Sequence, residues 1–222
     1  MYPERIPEET EHLFSADEAY DYNILQRTLL KRNLLPLKDI TDAGVNHGTV
    51  LEVGAGPGYL GVEWLKSSRV RSDSELVAID INRNMVCIAK DNSETISEKD
   101  RYSVIQGNAE MMPFCRNTFN GVFSAYSLHE WRNPVNVISE TDRVLKGESS
   151  AVIIDMRRDI PKDLLRREKN RMRKQSRNNF EASVKAAYTK NEIENIMENA
   201  GISDYQTDGE TFNLKVSWTK LR

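Results

Sequence analysis

Three glycines at alternate positions, Gly54, Gly56 and Gly58, follow an apolar run that carries a single carboxylate, Glu52. Glycines spaced this way after a buried strand let the backbone bend sharply and come close to a ligand. A helical pattern from Tyr59 through Lys66 follows. Its free N–H groups and partial positive charge would face an anionic group, a carboxylate or a phosphate. A second apolar run, from Glu75, ends in Asp80. In a βαβ unit the second strand ends beside the first, so Asp80 falls next to the glycine loop, where a carboxylate accepts two ribose hydroxyls. The loop departs from both common nucleotide fingerprints. Tyr59 stands where a dinucleotide site needs its third glycine, and no Gly-Lys-Ser/Thr follows to make a P-loop. A tight strand-to-helix turn without a ligand is the bland alternative.

Two further segments carry polar groups at the ends of apolar runs. Val104-Ile105-Gln106-Gly107-Asn108-Ala109-Glu110-Met111-Met112-Pro113-Phe114 reads as a strand followed by a turn. Its Asn108 amide offers both a donor and an acceptor. Phe119-Asn120-Gly121-Val122-Phe123-Ser124-Ala125-Tyr126-Ser127-Leu128-His129-Glu130-Trp131 reads as another strand with a loop rich in reactive side chains. His129 is the one histidine placed there, and its ordinary pKa near 6.5 suits a general base. Tyr126, Glu130 and Trp131 lie beside it. Asp155 ends the next apolar run and faces the same crevice, in a functional, capping or ion-pairing role.

The ordered set Glu52-x-Gly-x-Gly-x-Gly, Asp80-Ile81 with Met85, Gly107-Asn108-Ala109 and the fourth strand resembles the class I S-adenosylmethionine-dependent methyltransferases over roughly residues 48–157. The look is closest to their small-molecule, quinone-biosynthesis-like members. The resemblance implies S-adenosylmethionine as cofactor. Gly54, Ala55, Gly56 and Gly58 would pass under its methionine part, and Glu52 would anchor the amino end. Asp80 would take the ribose, Ile81 and Met85 would line the adenine, and Asn108 and Ala109 would reach the ring. Glu110 and Ala125 complete the expected cofactor set, with Tyr22 (or Tyr20) closing over the methionine end. Met85 and Tyr22 equally suit helix cores. His129 and Tyr126 are the catalytic candidates: His129 takes a proton or binds substrate, and Tyr126 shields the sulfonium or packs. The sequence departs from the family at Asn120, where an acid is usual. Gly147-Glu148-Ser149-Ser150 replaces a Pro-Gly-Gly turn and suggests a changed loop.

The elements that must position these groups alternate as strand and helix up to Asp155, with a helix from Pro134 to Lys146 and a fifth strand from Ala151 to Asp155. That alternation argues a doubly wound, mostly parallel α/β sheet with helices on both faces. Thr189 to Asn199 is a helix with a Thr189–Glu192 capping box and a Gly201 stop. Ile202–Gln206 and Thr211–Thr219 then make a hairpin about Thr207–Glu210. The resemblance turns this into a Rossmann-like, seven-stranded sheet with an antiparallel last strand. Residues 1–47 read as an N-terminal helical lid, with a helix from Asp17 to Leu35 ended by Pro36, an apolar stripe of Ile24, Leu25, Thr28, Leu29 and Leu30 on it, and an acidic stretch from Glu4 to Asp21. Residues 48–222 read as the core, interrupted by a basic helical insert at about 157–188. From Arg157 to Arg177 the insert holds ten Lys/Arg against three Asp/Glu. It would pack on the acidic N-terminal segment, attract an anionic substrate or nucleic acid, or form a solvated face.

At 222 residues the chain suits one decorated domain, and a net charge of −3 argues against a generally nucleic-acid-coated surface. Two cysteines make no disulfide framework, so a reducing cytoplasm is expected, with Cys87 a small core residue. The three histidines show no metal-ligand spacing, and no metal is expected. No run approaches membrane-spanning length, and no signal segment is read. The expected partner is a small-molecule methyl acceptor, with the chain a monomer or homodimer. RNA or protein methylation through the basic insert and a non-catalytic cofactor-binding module are the alternatives. An NAD-dependent oxidoreductase is disfavoured by Tyr59 and the terminal hairpin.

Overall fold

A computed structural model describes residues 4–8, 15–32, 34–172, 174–209 and 211–222, without the side chains of 174–176. Its strands are β1 (Thr49–Val53), β2 (Glu75–Asp80), β3 (Tyr102–Gln106), β4 (Phe119–Ala125), β5 (Leu145–Met156), β6 (Tyr205–Gly209) and β7 (Asn213–Thr219). They form one sheet in the order β3-β2-β1-β4-β5-β7-β6. The first five strands run parallel, and β7 pairs antiparallel with both β5 and β6. This is the expected Rossmann-like arrangement. All parallel strands end at one edge, where the order reverses between β1 and β4, the usual place for a ligand in such sheets.

Apolar side chains on both faces of the parallel strands require two covering layers. On one face Leu60, Trp64 and Leu65 of α3 (Tyr59–Lys66) and Val86 and Ala89 of α4 (Arg83–Ser93) pack on Val50, Leu76, Ala78 and Phe123. On the other, Val137 and Ile138 of α5 (Pro134–Val144) and Ile193 and Met197 of α8 (Lys190–Asn199) pack on Leu51, Val53, Val122 and Ile153. The Thr189–Glu192 capping box forms as expected. Such a cap is worth about 1 kcal/mol, and Gly201 stops the helix at φ +80°.

Several boundaries differ from the sequence reading. The first helix, α1 (Ala16–Lys31), ends before Leu35, and Pro36 instead stands at the N-cap of a short α2 (Leu37–Asp42). Within α1, Ile24 and Leu25 are exposed and Ala19 is buried, so the expected apolar stripe is not the packed face. The helix from Pro134 stops at Val144, because Leu145 and Lys146 already belong to β5. The Gly147–Ser150 stretch is no loop. It is an irregular start of β5, with Glu148 at φ +62° and a register shift opposite Phe119 and Gly121. The hairpin turn falls later than Thr207–Gly209, which are strand residues; Glu210 lies outside the described residues. The basic insert is two helices, α6 (Lys162–Arg171) and α7 (Lys174–Ala186), rather than one. Cys87 is exposed: Met85, Val86, Ala89 and Ser93 form the buried face of α4, and Cys87 falls on the other side.

The N-terminal segment is described in part; residues 9–14 of its acidic stretch lie outside. Residues 4–8 cross the carboxyl edge of the sheet. Ile6 N–H donates to Lys185 O at 3.1 Å and the Arg5 guanidinium to Ala186 O at 2.6 Å. The basic residues of the insert pair close to home, Lys169 with Glu181, Arg171 with Glu168 and Arg158 with Glu192 of α8. Among the described residues no ion pair joins the insert to the acidic N-terminal segment.

Candidate functional site

The loop after β1 is shaped from both sides. Gly54 and Ala55 donate to Ile79 O at 2.9 and 3.3 Å, which docks the loop onto the end of β2. Gly54 holds φ +70°, and a Cβ there would meet Ser127 Oγ at 2.5 Å. Gly58, at φ +78°, is the N-cap of α3, and a Cβ there would meet Tyr102 Oη at 2.7 Å. No side chain caps α3 at its N-cap; Glu52 takes the Gly61 N–H, and the N–H groups before it are left to a ligand or to water. At Gly56 (φ +52°) a Cβ would meet only the Tyr22 ring edge at 3.6 Å, which leaves room above the loop. Tyr22 therefore lies over Gly56, whereas Tyr20 is 61% exposed.

Asp80 lies where expected and already has a structural task. Its Oδ2 accepts the Gly56 N–H and its Oδ1 the Asn82 N–H, both at 2.8 Å. Each oxygen keeps a further lone pair, so the carboxylate can brace the loop and accept ribose hydroxyls together. Burial raises its pKa, and the two N–H donors oppose that. Glu52 is 3% exposed, and Oε2 finds no hydrogen-bond partner among the described residues. Burial, with Asp80 adding repulsion, pushes its carboxyl up to about 8 against the pull of the Gly61 N–H. Ile81 is 49% exposed at the rim, while Met85 is 2% exposed on the buried face of α4. Asn108 is exposed, and its Oδ1 accepts the Glu110 N–H at 2.9 Å. Glu110 in turn accepts the Asn133 N–H at 3.1 Å, and Ala109 packs on the core. Ala125, at the end of β4, is half-buried against the opposite core. Asn120 replaces the usual acid with a neutral acceptor for Thr49 N–H (3.3 Å) and Lys146 Nζ (3.0 Å).

The second half of the site follows β4. Ser124 and Ser127 tie this loop to β1, each donating to Val53 O, at 2.7 and 3.4 Å. Tyr126 takes φ +58°, uncommon for a bulky residue. Its hydroxyl accepts from Asn213 Nδ2 of β7 at 3.3 Å. The 3₁₀ turn Leu128–Glu130 presents His129, which is 4% exposed. His129 Nδ1 lies 2.8 Å from Asp155 Oδ1, and its backbone N–H donates to Asp155 Oδ2 at 2.7 Å. An ionised carboxylate only accepts, so Nδ1 carries the proton and Nε2 is turned into the crevice. Burial pushes the imidazole pKa down, but Asp155, with Glu130 and Glu8, outweighs it and the net value rises to about 9. That departs from the unperturbed value assumed for a base. Desolvation raises Glu130 to about 7, with Glu8, Asp80 and Asp155 adding repulsion against the opposing pull of His129. Burial also raises the Tyr22 pKa, and Glu130, Asp80 and Asp155 act in the same direction. The Tyr22 hydroxyl therefore shares one electrostatic neighbourhood with the loop carboxylate and the His129 turn.

The structure thus brings together Tyr22, the glycine loop and Asp80, with His129, Glu130 and Asp155 facing them. It sets Tyr126 to the β7 side and Met85 behind the surface. Glu8 was missed: its carboxylate joins His129 and Glu130, with ligand atoms of all three within 4.8 Å of one another. No spacing rule could find it, because Glu8 is brought in by the path of the N-terminal segment.

Comparison with known proteins gives a consistent picture. A family model described as a methyltransferase domain matches residues 45–201. A ubiquinone/menaquinone biosynthesis C-methyltransferase from Marinomonas sp. is 27% identical over 117 residues, 52% of this chain and 46% of that protein. The chain spans less than half the length of the curated relatives it matches. A candidate S-adenosylmethionine-dependent methyltransferase from Methanococcus maripaludis has the same fold, with a TM-score of 0.75 at 20% identity over 94% of both chains. A S-adenosylmethionine-dependent methyltransferase from Aquifex aeolicus superposes with a TM-score of 0.69 at 20% identity, covering 92% of this chain and 97% of that one.

Proposed function

The chain belongs to the methyltransferase-domain family, whose methyl donor is S-adenosylmethionine, and from that premise we propose that it methylates a small molecule held between Tyr22 and the His129–Glu130 turn. The observation that carries this reading is the open face at Gly56, roofed by Tyr22 and braced from below by Asp80. It fits the methionine half and ribose of S-adenosylmethionine. When bound, that cofactor supplies a methyl group on a positively charged sulfur, ready for in-line displacement.

The residues do the rest. The uncapped first turn of α3 receives the cofactor carboxylate. Asp80 holds the ribose through the lone pairs not used on Gly56 and Asn82. Glu52, an orphaned acceptor behind the loop, supports the amino end. Ile81, Asn108 and Ala109 flank the adenine, and Tyr22 excludes water above the loop. His129, fixed by Asp155, and Glu130 orient the acceptor, with Tyr126 bordering it toward β7. Positioning of this kind supplies about 7–11 kcal/mol in well-oriented cases. The partial likeness to quinone-biosynthesis C-methyltransferases supports a small cyclic acceptor. Free Cys87 and Cys115 support a reducing, cytoplasmic setting, with the chain a monomer or homodimer. Among the described residues no helix is long and apolar enough to cross a membrane.

A second reading rests on a basic cleft of about 440 Å³ between α6 and α7, lined by Lys162, Arg166, Lys169 and Arg177 among others. It favours an anionic macromolecular acceptor such as RNA. Isothermal titration with S-adenosylmethionine, S-adenosylhomocysteine and NAD tests the donor, and binding of NAD alone would overturn the proposal. A methyl-transfer screen of small quinols and phenols against structured RNA separates the two acceptor readings.

A further inference from the structure

We infer that Glu8, His129 and Glu130 form a site for one divalent first-row transition metal ion, which holds an oxygen of the acceptor. The three residues contribute one imidazole nitrogen and two carboxylates, whose ligand atoms lie within 4.8 Å of one another. Ligand atoms bound at about 2.0–2.2 Å to one ion lie no more than roughly 4.4 Å apart. In a tetrahedral site the spacing is roughly 3.3–3.6 Å, so closure draws the side-chain ends together by at most about 1.5 Å. His129 Nε2 lies 3.9 Å from Glu130 Oε1, longer than a hydrogen bond and within the span that a shared ion bridges.

The histidine supplies an observation independent of the acidic groups. Its side chain is 4% exposed, and among the described residues the hydrogen bonds of its ring are made by Nδ1 to Asp155. Nε2 is thus a buried nitrogen turned toward two carboxylates. A buried carboxylate on Nδ1 is the usual outer partner of a metal-bound histidine: it fixes the tautomer and raises the basicity of the ligating nitrogen. Asp155 itself is 1% exposed and also accepts the His129 and Met156 N–H groups, at 2.7 and 2.6 Å. The ring is held rigidly.

Glu8 is also placed rather than adventitious. The strap that carries it is pinned by Ile6 to Lys185 O and by Arg5 to Ala186 O and His129 O. Arg5 also stacks over the Tyr188 ring with its Cζ 4.2 Å from the centroid. A nitrogen with two carboxylate oxygens is a borderline donor set, suited to Zn²⁺, Mn²⁺, Fe²⁺ or Co²⁺. Three protein ligands leave coordination positions open, and these would face the Tyr22 side of the crevice.

The inference concerns metal binding and stands apart from the methyl donor. The test is titration of the metal-free full chain with Co²⁺, read by visible absorption, and with Zn²⁺, read by calorimetry. One equivalent should bind. Glu8→Gln and Glu130→Gln should each weaken binding at least tenfold. Asp155→Asn, a positioning change, should weaken it by about 10–100-fold. Calorimetry with S-adenosylmethionine on the same variants checks the other half of the site and should show unaltered affinity for the two glutamate variants. Substoichiometric binding by the wild-type chain, or stoichiometric binding indifferent to both glutamate substitutions, would overturn the site.

Discussion

The two halves of the crevice are built on different plans. The proposed donor half comes from consecutive β-α-β segments: β1, its glycine loop, α3 and β2. Much of its polar work is done by backbone groups, such as the Gly54 N–H on Ile79 O and the Gly56 N–H on Asp80. The proposed acceptor half gathers side chains from distant places: Glu8, His129, Glu130, Asp155 and, through Tyr126, Asn213. A ligand that many enzymes share suits a backbone cradle that tolerates little change. A ligand that varies suits side chains delivered by separate segments, each replaceable on the same frame.

If the contrast is right, the donor half should respond most to perturbation, beginning with Glu52. Its carboxyl is raised from 4.5 to about 8, so between those values the folded chain binds more protons than the unfolded one. Stability therefore falls as pH rises through that window and is greatest below about 4.5, as far as this group is concerned. The full effect is on the order of 5 kcal/mol. Denaturant melts from pH 5 to 8 should show the decline, and Glu52→Gln should flatten it. An unchanged slope in the variant would show that Glu52 ionises freely.

Asp80→Ala comes next. It strands the Gly56 and Asn82 N–H groups and removes the ribose acceptor, a loss of about 2–3 kcal/mol for a charged partner of buried donors. S-adenosylmethionine affinity should drop roughly 30- to 150-fold by calorimetry. Equal affinity would move the ribose elsewhere. Gly54→Ala is expected to cost about 2 kcal/mol of stability, from the left-handed φ of +70° and the overlap with Ser127. Adding Ser127→Gly should recover the overlap but not the backbone strain. Full recovery, read as the melting temperature, would mean that φ at position 54 relaxes.

The same contrast explains what was legible in the sequence. Local signals succeeded: the Tyr59–Lys66 helix, the Glu75–Asp80 strand and the Thr189–Glu192 cap all stand where spacing and capping chemistry put them. The glycine loop and Asp80 were readable because strand order in a βαβ unit brings them together. Failures arose where tertiary partners decide. Leu145 and Lys146 continue a helical pattern, yet pairing with β4 draws residue 145 into the sheet. Thr207–Gly209 carry turn chemistry, yet they lie in strand opposite β7. In the acceptor half His129 and Asp155 were each identifiable, but their pairing was not. Glu8 gave no signal, since only the folded path of the N-terminal strap brings it to the turn.

The smallest effect should come from that strap. Arg5 holds it with hydrogen bonds to Ala186 O and His129 O and by stacking on Tyr188. None of these contacts reaches the glycine loop or Asp80. Arg5→Met keeps an apolar stem over the ring but removes the charge and the donors, worth about 1 kcal/mol together. If the halves are separable, S-adenosylmethionine affinity should stay within twofold, because the donor cradle is braced by β1 and β2. The acceptor side should loosen: the Michaelis constant for the acceptor should rise several-fold, and proteolysis near residues 4–8 should speed up with or without cofactor. A fall in cofactor affinity as large as that of Asp80→Ala would break the comparison, since the strap would then belong to the donor site as much as to the acceptor.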